Sequence, residues 1–198
     1  MATPSKTQGT SLVSIQALSS GSFVSSSVQN VATVFGATLF VHVGRGNTSA
    51  LTVGVKVRIQ ASAQSSGNAE WLDLAVLQSQ IAGAASNTLA ASGNNAGSTT
   101  LTATANWTTA DGDLVFLLNG TVGNSEFVRA GAHSTTSLPV LDATTNGQNS
   151  SSAFDHADEF VVQLDLTSIG RIRVVFDGIG VGQTTYVEAY MVTCDSIG

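Results

Sequence analysis

All-β is the reading this chain imposes, as an antiparallel β-sandwich with jelly-roll-like order, and three features impose it. Apolar and polar side chains alternate over long stretches, which fits a half-buried strand and cannot be packed as a helix. Spacers rich in Gly, Asn, Ser and Thr separate these stretches. No stretch shows the 3.6-residue period of an amphipathic helix, and no internal repeat is visible. The 198 residues, 42% of them hydrophobic, suffice for one sandwich with its own core. The expected organisation is an extended N-terminal arm over residues 1–30, then a single sandwich domain over 31–198.

Taken in chain order, the arm is dominated by Ser, Thr, Gln and Gly. It carries apolar residues at Leu12, Val13, Ile15, Leu18, Phe23, Val24 and Val28. These six from Leu12 to Val24 are the expected partner contacts, since an arm of this kind gains by lying along a neighbour. Ala37 to Val43 alternates, with Ala37, Leu39, Val41 and Val43 opposite Thr38, Phe40 and His42. Residues 51–62 alternate without a break, and the turn-forming residues 44–49 predict that the two runs pair as antiparallel neighbours. Residues 71–77 form a short apolar run in which Trp71 is expected in the core. A polar stretch over 78–97 reads as a large loop. Strands are expected at 99–105, 114–118 and 126–130, with Asp111 to Asp113 as a turn and a second polar loop over 142–153. The end of the chain reads as a meander of three strands: 159–166, 171–177 and 184–194.

Charge excludes several functions. Only 10% of residues are charged, against about 25% in an average globular chain. A surface of hydroxyls and amides re-pairs its hydrogen bonds across an interface, so low charge points to assembly. The net charge of −6 and a pI near 4.7 speak against nucleic acid, and the basic residues are scattered apart from Arg171 and Arg173, which share one strand face. No polybasic segment suits an anionic membrane, and no run of about 18 apolar residues spans one. The first residues lack an apolar segment, so no signal peptide is expected. One cysteine, Cys194, makes no intrachain disulfide.

The chemistry-bearing residues are few. No Gly-x-Ser-x-Gly elbow is present, so no catalytic residue is assigned and no enzyme is expected. Asp155, His156, Asp158 and Glu159 cluster at the start of a strand and have the types that hold a hard cation. Without a second His or a Cys at ligand spacing they read as a polar loop, and no metal or cofactor is expected. His42, on the polar face of its strand, reads as structural, and His133 sits in a polar loop. Trp107 follows a strand and is the candidate for an exposed stacking ring, alongside Tyr186 and Tyr190.

The segment 38–45 (Thr-Leu-Phe-Val-His-Val-Gly-Arg), the strand 51–62, the segment 70–74 (Glu-Trp-Leu-Asp-Leu) and the run 171–190 resemble tailed-bacteriophage virion structural proteins, and among them capsid decoration (cement) proteins. The resemblance is one of strand style over about half the chain, and no functional residue is carried across. It implies a structural protein of the virion, assembled in the host cytoplasm, that binds an assembled capsid and stabilises it. Its partners would be itself, as a homotrimer, and a major capsid protein. A neck, tail or baseplate component and a carbohydrate- or receptor-binding sandwich are the alternatives.

Overall fold

The computed structural model describes residues 5–45, 50–67, 70–81, 87–90, 94, 97–141 and 153–196, and among them the chain is all-β and antiparallel. The eight strands that build the body are β1 (Ser5–Leu18), β2 (Phe23–Ser25), β4 (Gly36–Arg45), β5 (Lys56–Ser62), β6 (Leu72–Gln78), β12 (Ala153–Asp165), β13 (Arg171–Asp177) and β14 (Thr185–Ser196). Between β2 and β4, β3 (Gln29–Asn30) also pairs with β13. Between β6 and β12 lie β7 (Asn87–Thr88), β8 (Thr100–Thr102), β9 (Leu114–Leu117), β10 (Glu126–Arg129) and β11 (Ser137–Pro139).

One sheet runs β1-β14-β4-β12 and continues into β9 and β10; the facing sheet runs β2-β13-β5-β6. Four of the pairings are nested: β1 with β14, β2 with β13, β4 with β12 and β5 with β6. The chain is thus one long antiparallel hairpin, four strand pairs deep, wrapped so that successive pairs fall in opposite sheets. The pairings β14–β4 and β13–β5 then close each sheet. Numbering the eight strands by chain order, the sheets read 1-8-3-6 and 2-7-4-5.

The core between the sheets follows from alternation. Leu39, Val41 and Val43 from β4 and Val187, Ala189 and Met191 from β14 meet Val57, Ile59 and Ala61 from β5 and Ile172, Val174 and Phe176 from β13. Phe160, Val162 and Leu164 of β12 pack against them, and Leu166 beyond the strand is buried. Each of these sets was legible as a single face. Their neighbours were not. The expected β4–β5 hairpin does not form, since β4 lies in one sheet and β5 in the other. The strand β5 starts at Lys56, and residues 50–55 carry the chain across between sheets. There Leu51 N–H donates to Ile81 O at 3.0 Å and Thr52 N–H to Val181 O at 3.0 Å. Gly54 allows this crossing, because a Cβ there would strike the Ser79 carbonyl oxygen. The expected C-terminal meander is likewise corrected: β12 and β14 are in one sheet and β13 in the other. Alternation fixes which face of a strand is buried and leaves its neighbours open.

Residues 87–141 form a smaller unit with a core of their own, including Leu89, Leu101, Trp107, Leu117, Val128 and Leu138. It is tied to the body because β12 is long. Residues 157–165 of β12 pair with β4, while Phe154 to His156 pair with β9. The ring of Phe116, fully buried, lies directly over Gly44, where a Cβ would come within 2.5 Å of its Cγ. It stacks on Tyr186 at 5.1 Å and tilts against Phe127 at 4.7 Å. Most of 142–153, read as a loop, lies outside the described residues.

Candidate functional site

Two surfaces gather the chemistry-bearing side chains. The first is the outer face of the β2-β13-β5-β6 sheet. Alternation in β5 and β13 buries Val57, Ile59, Ile172 and Val174, and so turns Lys56, Arg58, Gln60, Arg171 and Arg173 outward. Trp71, just ahead of β6, lies half-buried on this face. The Arg173 guanidinium carbon sits 4.3 Å from its ring centroid and that of Arg171 5.7 Å, a cation–π arrangement. Trp71 is therefore a surface ring held by two cations and not the core residue expected, because the inward positions of β6 are taken by Ala75 and Leu77. A hydrogen-bonded chain extends from it: Arg173 Nε donates to Gln60 Oε1 at 2.8 Å, Gln60 Nε2 donates to Asp73 Oδ1 at 2.8 Å, and Arg58 Nη1 donates to Asp73 Oδ2 at 2.8 Å. Arg58 also faces Asp177 at 3.7 Å. Arg171 donates to the carbonyls of Gln64, Ser66 and Gly67. Among the described residues, then, the hydrogen-bond acceptors of Arg171 and Arg173 are neutral.

The rim of this face is apolar. β6 ends the sheet order, so its outer backbone groups are unpaired within the sheet. Leu72 is 74% exposed, Leu74 44% and Val76 52%. Leu74 sits in a register shift opposite Ile59 and Gln60, which turns an extra apolar side chain outward. At the other border of the sheet, Phe23 on β2 is also largely exposed. Sequence reading missed the β6 edge because residues 71–77 look like any buried apolar run.

The second surface is a cleft of 540 Å³ on the outside of the larger sheet, where the 87–141 unit overhangs it. It is lined by Ser14, Ile15, His42, Glu126, Phe127, Glu188 and Tyr190, among others. His42 Nδ1 is 3.2 Å from Glu188 Oε2, and its Nε2 is 3.6 Å from Glu159 Oε1. The Phe127 ring lies 4.8 Å from the imidazole. Tyr190 donates its hydroxyl to Glu188 Oε1, and Arg129 pairs with Glu159. Burial, with the Glu188 carboxylate beside it, pushes the Tyr190 phenol well above its ordinary value of 10. Both ring nitrogens of His42 face carboxylates, so neither is aimed at a serine hydroxyl.

The six predicted contact residues separate. Leu12, Val13 and Leu18 are buried in this chain's own core, because residues 5–18 form the edge strand β1 along β14. Ile15 lines the cleft. Val24 packs against the core, and Phe23 is open to solvent. Trp107 is 4% exposed, with its indole N–H donating to Thr136 O at 2.9 Å, so it is a core residue of the smaller unit and offers no stacking face. Of the acidic cluster, Asp155 and His156 have side chains outside the described residues. Asp158 accepts from Gln80 N–H at 2.9 Å, and Glu159 belongs to the His42 network. His133 is exposed in a loop. Asp113 accepts from Ala110 N–H at 2.7 Å, closing the turn.

Fold and site together define an eight-stranded antiparallel sandwich with a lateral insertion, a polarised sheet face and an apolar free edge. No family model matches the chain, and no curated protein matches it. Among solved structures, the chain is similar to one described as the structure of infectious bursal disease virus Gx strain. The TM-score is 0.28 at 9% identity, over 96% of this chain and 40% of that one. The chain thus spans less than half the length of that protein.

Proposed function

We propose that this chain is a structural protein of a virion, which binds an assembled phage capsid and stabilises it as a cement or decoration protein. The observation that carries the reading is the β6 edge: three exposed apolar side chains on a strand paired on one side only, on a body with few charges. Exposed apolar edges are sites of strand pairing, and monomeric proteins protect theirs. The other edges here are more strongly protected: register shifts break β1 in four places against one in β6, and β2 and β10 are short. The strand order 1-8-3-6 facing 2-7-4-5 supports reading the body as a jelly roll, an architecture that viral capsid domains share with lectins and cupins. No reaction is assigned: among the described residues, the histidine lining the polar cleft, His42, has both ring nitrogens facing carboxylates.

Many copies, each burying a modest edge, bridge neighbouring subunits and resist expansion of the shell, so that avidity replaces single-site affinity. Trimers fit local three-fold positions. The test is co-sedimentation of the purified chain with expanded, undecorated capsids. Val76→Lys is expected to abolish capture while changing folding stability by no more than about 0.5 kcal/mol, since the side chain is exposed. Capture that is unaffected by the substitution, or no capture of the wild-type chain, would overturn the reading.

A further inference from the structure

The outer face of the β2-β13-β5-β6 sheet is basic in an acidic protein. Lys56, Arg58, Arg171 and Arg173 share it with only Asp73 and Asp177 from the paired strands. Among the described side chains Arg129 is the one Lys or Arg elsewhere, and it faces Glu159. Two copies meeting through this face by a two-fold axis would set cation against cation, which is disfavoured. A hollow of 440 Å³ lies between β12 and the turn before β9, at the Gln78 end of β6 and so at the other end of that strand from Trp71. It is lined by Asp113, Asp158 and Glu159 around Arg129, with Gln78 and Gln80 on its rim. Its balance of carboxylates over bases complements the Trp71 face.

We infer that the Trp71–Arg171–Arg173 face docks into the Asp113–Asp158–Glu159 hollow of a second copy, head to tail. The inference rests on the assembly reading above and specifies the self-contact within it. Trp71 is already fixed by its two guanidiniums, so little side-chain freedom is lost on docking, and rings and arginines of this kind dominate binding energy at interfaces. Arg171 and Arg173 bond only neutral acceptors within the described chain, so carboxylates from a neighbour give them charge-assisted bonds they lack. A contact between two different surfaces propagates into a ring when the rotation closes, which a two-fold contact cannot do.

Sedimentation velocity on the full chain tests this. The wild type is expected to associate at low salt and to do so about tenfold more weakly, or worse, near 0.5 M salt. A face variant, Arg171→Gln/Arg173→Gln, and a hollow variant, Asp113→Asn/Asp158→Asn, are each expected to remain monomeric. The hollow variant's asparagines keep the acceptor oxygens that bond Ala110 and Gln80 N–H, and circular dichroism checks both folds. Mixed, the two variants are expected to form one-to-one dimers and nothing larger, because each retains the surface the other lacks. A monomeric wild type, salt-independent association, association of either variant alone, or a mixture that stays monomeric would overturn the inference. Capsid capture by a wild type that does not self-associate would sink this contact alone, whereas self-association without capsid capture would sink the capsid reading alone.

Discussion

The Asp73 carboxylate accepts hydrogen bonds from Gln60 and Arg58, and these hold it below its ordinary value of 3.8, Gln60 being the larger cause. Asp165 is lowered in the same way by Thr167. A carboxyl depressed in the folded state contributes stability above its unfolded pKa, and that contribution is lost as pH falls through the folded value. Asp73→Asn is therefore expected to lower the melting temperature at neutral pH and to flatten its decline below about pH 4. A thermal scan series from acid to neutral pH checks this, and an unchanged acid limb would separate Asp73 from the folding equilibrium. Tyr190 has the opposite sign. Its raised phenol favours the protonated folded form, so its contribution is present below the ordinary value of 10 and disappears as pH rises through the higher folded value. In an ultraviolet titration of the folded protein, Tyr190→Phe is expected to remove tyrosinate absorbance that appears well above the ordinary value of 10.

At the level of elements, the strands were legible and their partners were not. The faces of β4, β5, β13 and β14 follow directly from alternation, because one face of each is buried in a common core. Which sheet a strand joins depends on where the chain crosses, and that is decided by local contacts such as Gly54 against Ser79 and by the nested hairpin as a whole. The two tryptophans were exchanged for the same reason. A ring beside an apolar run reads as buried, yet Trp71 lies outside under Arg173, and Trp107, in a polar segment, is enclosed by a second core that composition did not reveal. The segment 1–30 reads as an arm because Ser, Thr and Gln dominate it, but β1 pairs with β14 and Leu12, Val13 and Leu18 join the core between the sheets. Deleting residues 1–18 is thus expected to do more than weaken a partner contact. Loss of fully buried Leu18, with Leu12 and Val13, removes several kcal/mol of burial, at about 2–5 kcal/mol per large aliphatic side chain. A truncated chain that melts like the full one would show β1 to be dispensable to the fold.

In the whole molecule, two hydrophobic clusters share one long strand, and this makes their stabilities unequal partners. The 87–141 unit carries its own core of Leu101, Trp107, Leu117 and Leu138, and opening it leaves the eight-strand pairing intact. The reverse does not hold, since β9 is anchored on residues 154–156 of β12 and Phe116 rests over Gly44 of β4. Local opening with a free energy below that of global unfolding is the expected behaviour of such an appended unit. Leu138→Ala, at a fully buried site, should cost about 2–5 kcal/mol within the smaller cluster. Native-state hydrogen exchange is then expected to show faster exchange in β8 to β11 and unchanged protection in β5 and β13. Phe176→Ala in the main core, costing about 3–5 kcal/mol, is expected to raise exchange in both clusters, because the unit loses the strand and sheet it is fastened to. Uniform loss of protection in both variants would instead make the chain one cooperative block. In that case the His42–Glu188 cleft, at the seam of the two clusters, would be as rigid as the sandwich beneath it.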